Sequence, residues 1–245
     1  MKRLLVVLAL IGCGDDSATP PDAPVDTLPD HPISMPDGAV DASCALTFAA
    51  LAQADTILTS SSPGLNFGSG PLANVGTGIN SVGVFRFDVT ALPSTARILS
   101  ARLELTFAAT SSACSPNCGS CLGIEHVGNL ALFYMRSDWS ESMATWNQAT
   151  AGLPWGAAGA SQSAIDRSAT PVAMTTHQPG ASETIAIDAS ALADLNGVWR
   201  RTNQVSFELV PSNFGVFVIA TRESAAEACV AGGYGPARLA VEYCP

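Results

Sequence analysis

Two segments between residues 84 and 107 alternate apolar and polar side chains, and they constrain the fold more than any other feature. Residues 84–88 read VFRFD, residues 98–107 read ILSARLELTF, and a turn at residues 91–93 separates the two. A period of two places successive side chains on opposite faces of a β-strand. We therefore predict two half-buried strands, the second with its inner face formed by Leu99, Ala101, Leu103, Leu105 and Phe107.

Short segments of the same kind recur along the chain, separated by Gly, Ser and Pro. A single helix is predicted to begin near Asp188 or Ser190, because Leu192, Leu195 and Trp199 follow at helical spacing. Many short strands and one helix indicate an all-β sandwich or barrel. The predicted strands are residues 55–59, 72–75, 82–89, 97–107, 129–136, 172–176, 183–187, 204–210, 215–221 and 238–243.

The N-terminus has the pattern of a secretory signal. Lys2 and Arg3 precede eight apolar residues, a stretch too short to span a bilayer, and Gly12 and Cys13 follow. This ending resembles the bacterial lipobox, in which the cysteine is lipidated. We predict a lipoprotein signal peptide at residues 1–12 and a membrane anchor at Cys13, with the protein at the outer membrane or cell surface. An ordinary signal peptide is the alternative.

Residues 13–43 are predicted to form a disordered tether. Residues 14–43 contain seven aspartates and six prolines, and they lack lysine, arginine and aromatic residues. Such a segment buries too little apolar surface to offset its conformational entropy. The whole chain carries a formal charge of −10 without a basic stripe, which argues against a nucleic-acid partner and against binding to anionic lipid.

Six cysteines remain when Cys13 is set aside. In an exported protein this number predicts three disulfides with 15 possible pairings, and Cys44 and Cys244 are expected to pair because they bracket the domain. The alternative is a metal site at the C-x₃-C-x₂-C spacing, with His126 as a fourth zinc ligand. The predicted disulfide cysteines are Cys44, Cys114, Cys118, Cys121, Cys229 and Cys244.

Motifs spread over residues 54–243 resemble, in the same order, the DNRLRE domain, which is also classed as carbohydrate-binding module family 96 and is related to the disaggregatase repeat. The resembling motifs are Ala54-Asp55-Thr56, Leu65-Asn66-Phe67-Gly68, Phe85-Arg86-Phe87-Asp88-Val89 with Leu92-Pro93, Ile98 to Leu103, Trp139-Ser140-Glu141, Thr145-Trp146-Asn147, Ile187-Asp188, Arg222-Glu223 and Pro236 to Tyr243.

The resemblance implies a jelly-roll-like β-sandwich over residues 44–245. Members of the family are attached to secreted enzymes or surface proteins, and some bind polysaccharide, including anionic algal polymers. This chain differs in having no lysine after Lys2, and we expect no catalytic domain beside the sandwich. We therefore expect a non-catalytic surface lipoprotein that binds polysaccharide. The alternative is a structural or protein-interaction module of the cell envelope without glycan binding.

Candidate ligand-binding residues are aromatic and cationic. Trp139 and Trp155 flank an irregular segment and could stack on sugar rings, whereas Trp146 and Trp199 are expected in the core. Cationic contacts to a glycan could come only from arginines. The predicted ligand-binding residues are Trp139, Trp155, Arg136 and Arg222.

No spacing of residues predicts catalysis. Asp138 with Glu141, or Asp55 with Asp88, could form a hydrolytic pair or a structural calcium site, but neither pair has a diagnostic spacing. Outside the tether, the histidines are His126 and His177, and no G-x-S-x-G elbow is present. We predict neither catalytic residues nor a cofactor. Arg86 and Glu223 are expected to form an internal ion pair.

Overall fold

The structure is a computed structural model that describes residues 44–107, 127–178, 182–213, 215–225 and 235–245. Within these residues the chain forms twelve β-strands and one α-helix, and none of the described helices is long and apolar enough to cross a membrane. The elements are β1 Leu46–Thr59, β2 Leu72–Gly76, β3 Ser81–Asp88, β4 Arg97–Leu105, β5 Gly128–Tyr134, β6 Gln148–Thr150, β7 Leu153–Pro154, β8 Ala173–His177, β9 Glu183–Ala186, α1 Ala189–Thr202, β10 Gln204–Pro211, β11 Val216–Ala220 and β12 Arg238–Cys244.

Ten of the twelve strands form two antiparallel layers that share β1, and β6 and β7 pair separately with each other. Sheet one consists of the N-terminal half of β1, then β12, β4 and β9. Sheet two consists of the C-terminal half of β1, then β3, β10, β5 and β8, with β2 and β11 paired beside β3. A register shift between Ala52 and Ala54 marks the point where β1 passes from one sheet to the other. The predicted all-β, jelly-roll-like sandwich with one short helix is confirmed.

The main hydrophobic core lies on the inner faces of the two sheets. Phe85 and Phe87 on β3 and Phe207 on β10 are fully buried in it, together with Leu103 on β4. The side chains of β3 and β4 therefore alternate between the inner and outer faces as predicted, with one exception. A register shift in the pairing of β4 with β12 buries Ile98 and leaves Leu99 half-buried.

A disulfide joins the two ends of the domain. The sulfurs of Cys44 and Cys244 are bonded across a sequence separation of 200 residues, which confirms this predicted pair. Because β1 and β12 are neighbours in sheet one, the bond reinforces a pairing that the strands already make. The predicted lipidation site Cys13, the predicted signal peptide and tether, His126 and the cysteines at 114, 118, 121 and 229 lie outside the described residues.

A segment without long strands packs on the outer face of sheet two. We call residues 136–168 the covering segment. Its Trp139, Trp155 and Ala160 form a second core with Val82 and Val84 of β3. Both faces of the middle of sheet two are therefore buried.

Helix α1 begins where Asp188 O accepts hydrogen bonds from the backbone N–H groups of Ala191 and Leu192. It ends before Asn203, whose φ of 53° is a left-handed conformation that asparagine tolerates. Asn203 O then accepts a hydrogen bond from Val89 N. This bond holds the C-terminal end of the helix against the turn that follows β3.

Candidate functional site

Four charged residues from distant parts of the chain meet at one point, which we call the arginine–carboxylate junction. Its members are Asp55, Glu141, Arg222 and Glu223. Arg222 Nη2 lies 2.9 Å from Glu141 Oε2 and 2.8 Å from Glu223 Oε1. The backbone N–H of Arg222 donates to Asp55 Oδ2 at 2.7 Å. One arginine therefore links β1, the covering segment and the short 3₁₀ helix Arg222–Ala225.

The loop that contains Asn66 and Gly68 supports Glu141 from the other side. The side-chain amide of Asn66 donates to Glu141 O at 2.6 Å and to Ala144 O at 2.7 Å. Gly68 packs directly against the backbone of Glu141, so that a Cβ at position 68 would collide with it. The backbone N–H of Asp55 donates to Glu141 Oε1 at 2.9 Å. The position of Glu141 is thus fixed by its backbone and by its carboxylate.

Asp55 has an unusual charge state. Burial raises the pKa of this carboxyl to about 7, the backbone hydrogen bond from Arg222 lowers it, and the nearby charges of Glu223 and Glu141 raise it further. The hydrogen bond to Glu223 in turn raises the pKa of the Arg222 guanidinium. Near neutral pH Asp55 is therefore partly protonated, and the junction carries less negative charge than three ionised acids would give it.

The junction is also the one place in the described residues where three acids are close enough to share a metal ion. Carboxylate oxygens of Asp55, Glu141 and Glu223 lie within 4.8 Å of one another. The guanidinium of Arg222 already supplies a cation there, and it is hydrogen bonded to two of the three acids. The three acids and Arg222 are thus joined in one network of ion pairs and hydrogen bonds.

Each acid of those suggested pairs has a hydrogen-bond partner in the structure. The carboxylate of Asp88 accepts a hydrogen bond from Thr90 N, and the structure joins Asp55 to Glu141 and Glu223 instead. The Asp138 carboxylate accepts from Arg86, whereas the Glu141 carboxylate accepts from Arg222 and from the backbone of Asp55.

Two adjoining cavities beside the covering segment form what we call the outer groove. The first has a volume of about 510 Å³ and the second about 350 Å³, and they share Arg86 and Gln204. The first is lined by Arg86, Tyr134, Met135, Arg136, Ser137, Asp138, Thr202, Gln204 and Ser206. The second is lined by Gln53, Ala54, Arg86, Trp139, Ser140, Glu141, Ser142 and Gln204.

Arg86 lies in the middle of the outer groove and is held firmly. Its Nη2 is 2.9 Å from Asp138 Oδ1 and also donates to Trp139 O, and its guanidinium lies 4.6 Å from the centre of the Trp139 ring. Burial lowers the pKa of Arg86. The expected Arg86–Glu223 ion pair is wrong, because Arg86 pairs with Asp138 and Glu223 pairs with Arg222.

Arg136 and Arg222, the two arginines predicted to bind a ligand, differ in their position relative to the groove. Arg136 is exposed in the first cavity, 5.2 Å from the centre of the Tyr134 ring, and it forms no ion pair with any described residue. Arg222 is not among the residues that line the two cavities, but its Nη1 donates at 3.0 Å to the backbone O of Gln53, which lines the second. The structure therefore places Arg136 in the groove and Arg222 beside it.

The two candidate tryptophans are not available for stacking on a sugar. Trp139 is only 2% exposed and Trp155 only 5%, because both rings fill the second core. Their indole N–H groups donate to Ser206 Oγ at 3.2 Å and to Thr145 O at 2.8 Å, respectively. The expectation that they form a ligand platform is corrected accordingly.

A buried ion pair that the sequence did not predict holds the far end of the covering segment. Arg167 Nη1 lies 2.8 Å from Glu208 Oε2 on β10, and its guanidinium lies 4.1 Å from the centre of the Phe133 ring. Glu208 is fully buried, and burial raises its pKa to about 7 although Arg167 lowers it. Neither Glu208 Oε1 nor Arg167 Nε has a hydrogen-bond partner within the described residues.

The described histidine also has a packing role. His177 is fully buried, its ring is stacked on Phe107 at 4.0 Å, and its Nδ1 lies 2.9 Å from Glu183 Oε1. It therefore lies in the interior at the contact between β8 and β9, not in the outer groove.

Comparison with known proteins gives no further assignment. No protein-family model matches this chain, and the search of curated proteins found no match. The function must therefore be argued from the residues of the outer groove and the arginine–carboxylate junction.

Proposed function

We propose that this chain is a non-catalytic lipoprotein of the cell envelope whose sandwich domain is related to the DNRLRE domain and binds polysaccharide in the outer groove. The observation that carries the proposal is the pair of adjoining cavities on the outer face of sheet two. Their combined size lies in the range of established ligand sites, about 300–1,000 Å³.

The lining of the groove suits a polyhydroxylated ligand. Guanidinium groups donate hydrogen bonds, whereas amides and hydroxyls both donate and accept them, as sugar hydroxyls require. Arg86, Gln204 and Ser206 supply these groups along neighbouring strands β3 and β10, and Arg136 adds an exposed donor. Arg86 is already held in place by Asp138 and Trp139, so little side-chain entropy is lost when it binds a ligand.

The junction supports the family resemblance on which the proposal partly rests. Motifs that are far apart in the sequence contribute Asp55, Asn66, Glu141 and the Arg222–Glu223 dipeptide, and all of these meet there. Residues that resemble a family and also contact one another are stronger support than residues that match in order alone.

The pairing of the carboxylates at the groove supports binding without catalysis. The described part of the groove contains Asp138 and Glu141, and each is paired with an arginine. A carboxylate whose oxygens accept from an arginine is less free to exchange a proton with a substrate, as general acid–base catalysis requires. In the proposed arrangement, Cys13 anchors the protein in the membrane, and the tether of residues 13–43 holds the domain away from the bilayer.

Affinity electrophoresis tests the proposal. The full-length protein in detergent would be run through gels that contain xylan, laminarin, mannan or polygalacturonate. We expect retardation by at least one polymer, and we expect Arg136→Ala to reduce it. The matched control is Arg102→Ala, since Arg102 lies on sheet one in an ion pair with Glu104. Migration unchanged by every polymer, or equal loss in both variants, would contradict the proposal.

The second candidate function is a structural or protein-interaction module. The burial of Trp139 and Trp155 favours it, because aromatic rings that could stack on sugars are occupied in the second core. Under this alternative, polysaccharide gels leave the protein unretarded, while crosslinking in intact cells joins the outer groove to a protein of the envelope.

A further inference from the structure

We infer that the outer groove binds an internal stretch of a linear polysaccharide, several sugars long, rather than a chain end. This inference rests on the proposed function and specifies which part of the polymer is recognised. It follows from the shape of the groove and from the position of its most firmly held donor.

The groove is continuous through two residues. Arg86 and Gln204 line both cavities, so a ligand that fills one cavity reaches the other without leaving the surface. The first cavity continues from these residues to Arg136, and the second continues to Gln53 and Ser142. Both cavities are open to solvent, as a site for the middle of a polymer requires.

The centre of the groove contains a firmly positioned hydrogen-bond donor, Arg86. The side chain of Arg86 is 15% exposed and is held by Asp138 and Trp139, whereas Asp138 itself is 89% exposed. A site for a chain end would need its fixed polar groups at a closed end, where they could recognise the terminal hydroxyls. Here the fixed donor lies between the cavities, so a chain that contacts it extends to both sides.

The two cavities present separate groups to such a chain. Arg136 belongs to the first cavity alone, and Gln53 belongs to the second alone. Gln53 and Gln204 lie side by side, with Gln204 Nε2 3.5 Å from Gln53 Oε1. A ligand that spans the groove therefore contacts groups on both sides of Arg86, and its affinity rises with length until both cavities are filled.

Titration calorimetry on the full-length protein in detergent tests the inference. The ligands are series of oligosaccharides, two to six sugars long, prepared from xylan, laminarin, mannan and polygalacturonate. We expect the hexasaccharide of the bound polymer to bind at least about tenfold more tightly than its disaccharide. Reduction of the terminal sugar with borohydride should leave the affinity of the hexasaccharide unchanged. Equal affinity for disaccharide and hexasaccharide, or loss of binding after reduction, would overturn the inference.

Variants in the two cavities separate this inference from the proposed function. We expect Arg136→Ala and Gln53→Ala each to weaken hexasaccharide binding by about three- to tenfold, with Arg102→Ala as the unaffected control. If only one of the two variants weakens binding, the ligand occupies one cavity, and the inference fails while the proposed function stands. If neither polymer nor oligosaccharide binds, the proposed function itself fails.

Discussion

Replacement of Glu208 by glutamine is expected to flatten the pH dependence of stability between pH 5 and pH 8. In the folded protein, burial raises the pKa of Glu208 from the ordinary 4.5 to about 7. The folded state therefore binds this proton more tightly than the unfolded state does. The resulting stabilisation is complete below about pH 4.5 and is lost as the pH rises through 7.

The size of the effect follows from that interval. At about 1.4 kcal/mol per pH unit, ionisation of Glu208 removes about 3 kcal/mol from the free energy of unfolding by pH 8. Glutamine has the same shape and carries no ionisable proton. The Glu208→Gln variant should thus lack this loss, although Asp55, whose pKa burial also raises to about 7, still gives both proteins a residual slope.

Urea unfolding followed by tryptophan fluorescence, without reductant, measures the free energy of unfolding at each pH. The matched control is Glu104→Gln. Burial raises the pKa of Glu104, but hydrogen bonds from Arg238 and Arg102 hold this pKa below its usual range. Glu104 therefore takes up its proton below the measured range of pH 5 to pH 8. The reasoning would be refuted if Glu208→Gln showed the same slope as the unaltered protein between pH 5 and pH 8.

Three further substitutions test the packing. Gly68→Ala should destabilise the fold by about 1–3 kcal/mol because the added Cβ collides with Glu141. The control Gly64→Ala, which has open space around it, should change stability by less than about 0.5 kcal/mol. Equal urea midpoints for the two variants would contradict this prediction. Cys44→Ala removes the bond to Cys244 and should lower the unfolding free energy by about 2–5 kcal/mol, and an unchanged midpoint would argue against the bond. Trp139→Phe should cost about 1–3 kcal/mol through a lost hydrogen bond and a small cavity, and a neutral result in thermal unfolding would show that the ring is not packed as described.

The regular strands could be predicted from the sequence because their pattern is local. Alternation over a few residues identified β3 and β4, and the bracketing cysteines identified the disulfide. The N-terminal half of β1 was missed, since residues 46–52 read LTFAALA and carry apolar side chains on both faces. The exposed Ala49 and Leu51 hide the alternation that Phe48, Ala50 and Ala52 follow on the inner face.

The outer groove could not be predicted in the same way because its shape depends on tertiary packing. Arg86, Arg136 and Gln204 come from three separate regions of the chain, and no local spacing relates them. The tryptophans were misassigned for a related reason. A Trp-rich segment without strand periodicity indicates a loop, but here it lies flat on sheet two and buries Trp139 and Trp155 in a second core.

Hydrogen exchange of the full-length protein, with and without the polysaccharide that retards it most strongly in gels, tests the central claim most directly. The account predicts slower exchange in residues 134–142 and 202–206, which line the outer groove, while β9 and β12 on sheet one remain unchanged. Protection confined to sheet one, or to parts of the chain away from Arg86 and Arg136, would contradict it.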